Sequence, residues 1–210
     1  MSIIKSTLYC GLIHHVAKLF PQKIINMPNL TTCILFQSYF IYNSGSLFIK
    51  SFTNNPSKLL TIRNDTLNLF NNLSGYFIYD IIYLLRNNPL LPSNLVFLIH
   101  HLIGMSMLEI ARTYGAPKDI LKYYNGLCFI AEVTNPFINV RHFTRDTEYY
   151  KLNIKIIFYM YMIFRIILFP VVSYKFSTIM PSKNLKILFA IIYTMSLVWF
   201  GKIYSMYKKL

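Results

Sequence analysis

Stretches of about 20 mostly apolar residues, parted by short turns rich in Pro and Asn, recur along most of this chain. A hydrocarbon core about 30 Å thick is crossed by about 20 helical residues. Inside it each segment must satisfy its own backbone N–H and C=O groups. A chain with 55% hydrophobic and only 13% charged residues in 210 does not suit an ordinary soluble domain. The fold class expected is all-α, a multi-pass transmembrane helix bundle of about six spans, within a range of about five to seven.

Runs bounded by Pro, Asn and charge place the helices at about residues 30 to 50, 67 to 85, 94 to 112, 120 to 140, 153 to 175 and 184 to 206. The breaks are Thr53-Asn54-Asn55-Pro56-Ser57, Asn87-Asn88-Pro89, Gly115-Ala116-Pro117 and Pro181-Ser182. Connections this short predict that sequence neighbours are antiparallel and adjacent. No internal repeat or separating linker is present, so residues 1–207 read as one membrane domain, with 1–28 a short N-terminal helical segment. Leu8 to Phe20 behind Lys5 imitates a signal sequence, but no small-residue cleavage site follows and Pro21 breaks the pattern. A retained short or embedded helix is the expectation.

A formal net charge of +14 would suggest nucleic acid if the chain were soluble. Here Lys50, Arg86, Arg112, Lys175 and Lys202 stand at the ends of apolar runs and form no single basic stripe. That distribution suits phosphate headgroups and membrane topology, so membrane lipids and no nucleic acid are the expected partners. Arg165 lies inside a run; the other twenty Lys and Arg divide eleven on the side of both termini and nine opposite, a weak bias toward cytosolic termini. Cys10, Cys33 and Cys128 are too few and too apolar in context for a disulfide framework or a zinc site. Five histidines with no His-x-x-His or His-x-x-x-His pair give no two-ligand face, so no metal is expected. The sequons at Asn29, Asn64 and Asn72 are those an Asn-rich chain produces by chance.

Three of the runs carry ionisable residues where a lipid-facing helix should have none. A carboxylate at a membrane helix centre costs roughly 2.5 to 3.5 kcal/mol on insertion scales, so such groups are expected to meet inside the bundle. Tyr76, Asp80 and Tyr83 stand at i, i+4 and i+7, a stripe that offers the carboxylate two phenol donors. His100 and His101 are about 100° apart around their helix, so one faces the centre while the other braces against a neighbour. Histidine can exchange a proton near neutral pH and can be oriented by a carboxylate. Glu132, Asn135 and Asn139 form a polar face at i, i+3 and i+7. Pro136 leaves the Glu132 carbonyl without its helical donor, which predicts a kink beside the carboxylate. Arg141 lies near the membrane interface, placed to meet a phosphate or to anchor topology. Arg165 interrupts its helix five residues before Pro170, and no partner for it is legible.

Taken in order, S-G-Y-F-I-Y-D at 74 to 80, F-L-I-H-H at 97 to 101 and A-E-V-T-N-P-F-I-N-V-R at 131 to 141 resemble the TLC domain. That family is named for translocating-chain-associating membrane proteins, longevity-assurance proteins and a neuronal ceroid lipofuscinosis protein, and it includes the ceramide synthases. Residues 67 to 206 are the best-matched core; Leu8 to Phe20, with His14 and His15, looks like a shortened earlier helix. The resemblance implies a barrel-like bundle around a central, lipid-accessible cavity that admits an acyl chain. It carries over Asp80, His100, His101, Glu132, Pro136, Asn139 and Arg141. Ceramide synthases, however, have His-Asp and a further Asp where this chain has Ala131-Glu132 and Asn135. The Glu-x-x-x-Pro-Phe-x-Asn-x-Arg form is similar instead to the smaller TLC-domain proteins linked to membrane phospholipid composition.

Three functions follow as expectations. The first is a protein that handles, senses or remodels acyl lipids, with Glu132, Asn135, Pro136, Asn139, Arg141, Tyr76 and Tyr83 lining its cavity. The second is an acyltransferase of ceramide-synthase type, with His100 or His101 as general base oriented by Asp80 or Glu132 and acyl-CoA as substrate, not as bound cofactor. The third is a proton-coupled transporter, disfavoured because paired broken helices and repeats are missing. No cofactor is expected, and no residue pattern specifies a homodimer. The endoplasmic reticulum or another membrane of the host cell is expected over the cytosol.

Overall fold

The structure, a computed structural model, describes residues 2–19, 28–53, 55–87, 92–113, 118–180 and 182–210. Among these every regular element is helical. We number them α1 (Ile3–Ala17), α2 (Pro28–Lys50), α3 (Pro56–Arg86), α4 (Pro92–Thr113), α5 (Lys118–Glu132), α6 (Asn135–Thr144), α7 (Tyr150–Tyr161), α8 (Phe169–Ile179) and α9 (Lys183–Tyr207). A π-helical segment, Met162–Leu168, joins α7 to α8 without a break. Asn88, Pro89, Pro181, Pro21 and the Gly115-Ala116-Pro117 turn lie outside the described residues.

Three elements differ from the sequence expectation, each for a local reason. The second expected helix starts at Pro56, not near residue 67. Proline is compatible with a first helical turn, and the Asn55 side-chain oxygen accepts from the N–H groups of Ser57 and Lys58. Lys58, Arg63 and Asp65 bound the apolar run but do not stop the helix, which at 31 residues extends about 46 Å, beyond a 30 Å hydrocarbon core. The fourth expected helix breaks at Val133 and Thr134, so Pro136 ends one helix and opens another where a kink was expected. The fifth runs from Tyr150 to Ile179 with its centre widened into a π-helix. Pro170 has no N–H for the Ile166 carbonyl, which instead accepts a hydrogen bond from the Tyr193 hydroxyl at 3.4 Å.

Paired contacts give the helix directions. Asn72, Tyr76 and Tyr79 on α3 meet Tyr39, Cys33 and Asn29 on α2, so those two helices are antiparallel. Asp80 meets His101 while Asn71 meets Arg112, which makes α4 antiparallel to α3. Helix α5 packs chiefly on α2 and α8, not on α4, its neighbour in sequence. Gly45 lies under Phe129 and Gly126 under Phe48, so α5 opposes α2. Helix α1 runs parallel to α3: the Ser6 and Thr7 hydroxyls donate to the carbonyls of Asn72 and Gly75 at 2.8 and 3.0 Å. A Cβ on Gly75 would fall 2.5 Å from Ser6 Cβ, so only glycine permits this approach.

The main apolar core lies among α2, α3, α4, α5, α8 and α9, around Phe40, Phe70, Tyr76, Tyr124, Phe176 and Phe189. A smaller one around Ile154, Ile157, Phe158, Tyr161 and Ile203 joins α7 to the end of α9. Ile163, Ile167, Val171 and Tyr174 form an exposed stripe at helical spacing, the surface a lipid-facing helix presents. Tyr150–Ile179 and Lys183–Tyr207 are long and apolar enough to cross a membrane, and Asn94–Ile110 is a shorter apolar helix. Polar side chains that α2, α3 and α5 direct at one another lower the hydropathy of those helices.

Candidate functional site

Two polar assemblies lie inside the bundle, and the His100-His101 pair stands between them. The first is centred on Asp80, 7% exposed on α3, and His101, 5% exposed on α4. His101 Nε2 is 2.6 Å from Asp80 Oδ2. In the neutral ring Nε2–H donates to the carboxylate, which leaves the Nδ1 lone pair free; Nδ1 has no partner among the described residues. Phe77 fixes the ring from the side, with centroids 4.7 Å apart.

The other Asp80 oxygen accepts from Asn29 Nδ2 at 3.3 Å. A carboxylate only accepts, so the Asn29 amide group faces Asp80 and its carbonyl oxygen faces away. That oxygen accepts from the Tyr79 hydroxyl at 2.9 Å. Having donated its proton there, Tyr79 accepts from His14 Nδ1–H at 2.7 Å. One directed chain thus runs from α1 through α3 and α2 to the Asp80–His101 pair.

The two tyrosines expected to flank Asp80 are engaged elsewhere. Tyr76 donates to Cys33 Sγ at 3.2 Å and receives Gln37 Nε2 at 3.5 Å. Gln37 in turn accepts from Asn139 Nδ2 at 2.9 Å, which ties α6 to α2. The Tyr83 ring lies 5.8 Å from that of His14. Asn29, Cys33 and Gln37 were not singled out by sequence reasoning. Their i, i+4, i+8 spacing on α2 was the available signal, the same one that identified the Tyr76-Asp80 stripe.

The second assembly surrounds a cavity of about 70 Å3 among α3, α4, α5, α8, α9 and the π-helical segment. Its walls are mostly apolar, as at Leu73, Phe77, Met107, Leu127, Phe169 and Phe189, and it also touches His100, Glu132 and Arg165. Asn135, freed at the helix break, donates to Glu132 Oε2 at 2.6 Å, and its carbonyl oxygen accepts from Arg165 Nη2 at 3.3 Å. The His100 ring stands edge-on to Trp199 at 5.4 Å. Arg141 is set apart, with Nη1 3.0 Å from Met206 Sδ near the end of α9. Among the described residues no group of three or more His, Cys, Asp or Glu could hold a metal ion.

The site therefore sets a carboxylate-oriented imidazole, His101, next to His100, which lines a narrow, mostly apolar cavity that also touches Glu132 and Arg165. No curated protein and no solved structure matches this chain. The family model of the TLC domain matches residues 19–207, which take in α2 to α9 and every residue of the two assemblies except His14. The chain is a membrane protein of the TLC domain family.

Proposed function

We propose that this protein crosses its membrane about six times, with α2, α3, α4, α5 continued in α6 to about residue 140, α7–α8 and α9 as the spans, and handles or senses an acyl lipid between them. The antiparallel pairs α2–α3, α3–α4 and α2–α5 support the topology. The observation that carries the lipid reading is the cavity, apolar along most of its wall and polar at His100, Glu132 and Arg165. That is the lining an amphiphile with a hydrogen-bonding head needs. At about 70 Å3 the cavity is below the roughly 300 to 1,000 Å3 of ordinary ligand sites. A bound acyl chain would part the helices or pass its tail between them into the bilayer. An internal membrane such as the endoplasmic reticulum suits that role.

The Asp80–His101 pair favours a second reading, acyl transfer with His101 Nδ1 as general base on an amine or alcohol. Untargeted lipid profiles of cells expressing the parent, His101→Ala and Glu132→Gln at equal levels separate the two. A shift in lipid composition that survives His101→Ala and is lost in Glu132→Gln supports handling or sensing. A product that disappears in His101→Ala supports transfer. A parent profile identical to that of cells without the protein defeats both.

A further inference from the structure

Arg165 is 1% exposed, and its guanidinium uses one of its five N–H donors on Asn135. Nε and Nη1 are buried and have no partner among the described residues. Burying a guanidinium costs several kcal/mol unless its donors are met, so a buried guanidinium with the three N–H groups of Nε and Nη1 unused is a site prepared for an acceptor. Besides the Tyr161 ring, 6.0 Å from Cζ, no group among the described residues meets those donors. Glu132 is held by Asn135, and no ion pair links it directly to Arg165 within 4.0 Å. Arg165 also lies in the π-helical segment, whose extra residue per turn places its side chain on the cavity wall.

The cavity limits what the acceptor can be. Most of its wall is apolar, Phe169, Phe189, Ile192 and Leu73 included, so the ligand body is apolar and only its head accepts hydrogen bonds. We infer that the N–H groups Arg165 leaves free, on Nη1, on Nε and the second on Nη2, are the receptor for the acyl oxygen of a fatty ligand, with the chain lying along the apolar wall. The second N–H of Nη2 completes a planar fork with Nη1 or with Nε, and such a fork matches a carboxylate or an ester carbonyl, whereas an ammonium presents a point charge without that geometry. The inference rests on the acyl-lipid reading above and assigns its head-group contact.

The test is equilibrium binding of radiolabelled palmitate to the full-length protein in nanodiscs, with methyl palmitate and hexadecane as competitors. Arg165→Met should weaken palmitate binding by about ten- to hundredfold, the worth of a charge-assisted hydrogen bond, and Arg165→Lys should restore only part of it. Competition by palmitate alone identifies a carboxylate ligand; equal competition by methyl palmitate identifies an ester carbonyl. Hexadecane, which has no acyl oxygen, should not displace palmitate. Palmitate affinity within about twofold of the parent in Arg165→Met overturns the assignment while leaving the acyl-lipid reading standing. If the parent binds no acyl ligand, that reading fails and this one falls with it.

Because Arg165→Met removes the donor that holds Asn135 beside Glu132 and can misfold, the parent protein also supplies a mutation-free measurement. Carboxyl-13C palmitate bound beside Arg165 should keep the chemical shift of an ionised carboxylate to a lower pH than palmitate in protein-free nanodiscs. The same titration in both samples overturns the assignment.

Discussion

The Tyr193 hydroxyl donates to the Ile166 carbonyl, the one that Pro170 leaves without a helical partner. A side chain of α9 thereby stabilises the irregular backbone that carries Arg165. Pro170→Ala restores the missing N–H and lets the π-helical segment relax to an α-helix, which turns Arg165 about 100° relative to the following helix. The expected result is palmitate binding weakened as in Arg165→Met, with a melting temperature in detergent equal to or above the parent's. Tyr193→Phe should lower that melting temperature modestly, by the equivalent of about 0.5 to 1.5 kcal/mol for a lost hydrogen bond.

Asp80 and His101 are buried against each other, so removing either leaves the other in poor surroundings. Each of Asp80→Asn and His101→Ala is expected to destabilise the fold, up to about 3 to 5 kcal/mol for an uncompensated buried charge. The double variant should lose less than the sum of the two. Thermal unfolding of all four proteins measures the coupling, and strictly additive losses would contradict direct pairing.

Gly75 is the closest approach of α1 to α3, 2.6 Å from the Ile3 carbonyl oxygen when a Cβ is added. Gly75→Ala should therefore push α1 away from the bundle. Cys10 on α1 is 1% exposed and reports this directly. Its thiol is expected to resist a small maleimide in the parent and to be labelled readily in the variant, with Cys33 and Cys128 replaced in both by serine or alanine.

His142 lies beyond the apolar spans, where partial burial of a still largely exposed ring, and then the positive charges of Arg141 and Arg145, hold its imidazole below the ordinary histidine value. A lowered folded value means the unfolded chain takes up the proton first as pH falls. The contribution of His142 is thus whole above about pH 6.5 and is lost as pH drops through the lowered value. Melting temperature should fall across that acidic window, and His142→Asn should flatten the fall slightly because the residue is exposed.

Much of the fold was legible from period and composition, because a run of apolar residues near bilayer length has few alternatives to a helix. Helices α2, α4 and α9 fall within two residues of where Pro, Asn and charge placed their ends. The start of α3 was misjudged because charged residues end an apolar run without ending a helix. The break at Val133 and Thr134 and the π-helix before Pro170 were signalled by proline, which locates a disturbance but not its form.

Sequence alone determined which residues share a face of their own helix, since that follows from 3.6 residues per turn. It singled out Asp80, the histidine pair and the Glu132–Asn135–Asn139 face, because charge and amide in an apolar run are costly wherever the helix sits. Which faces meet was decided only in three dimensions. The parallel placement of α1 on α3, the packing of α5 on α2, and the choice of Asn29 over Tyr76 as partner for Asp80 depend on side-chain shape across helices far apart in the chain. No local period records that complementarity. Arg165 is the clearest case: its helix carries no acid to pair with it, and only the folded bundle brings Asn135 to Nη2 while leaving Nε and Nη1, on a cavity wall, without a hydrogen-bond partner among the described residues.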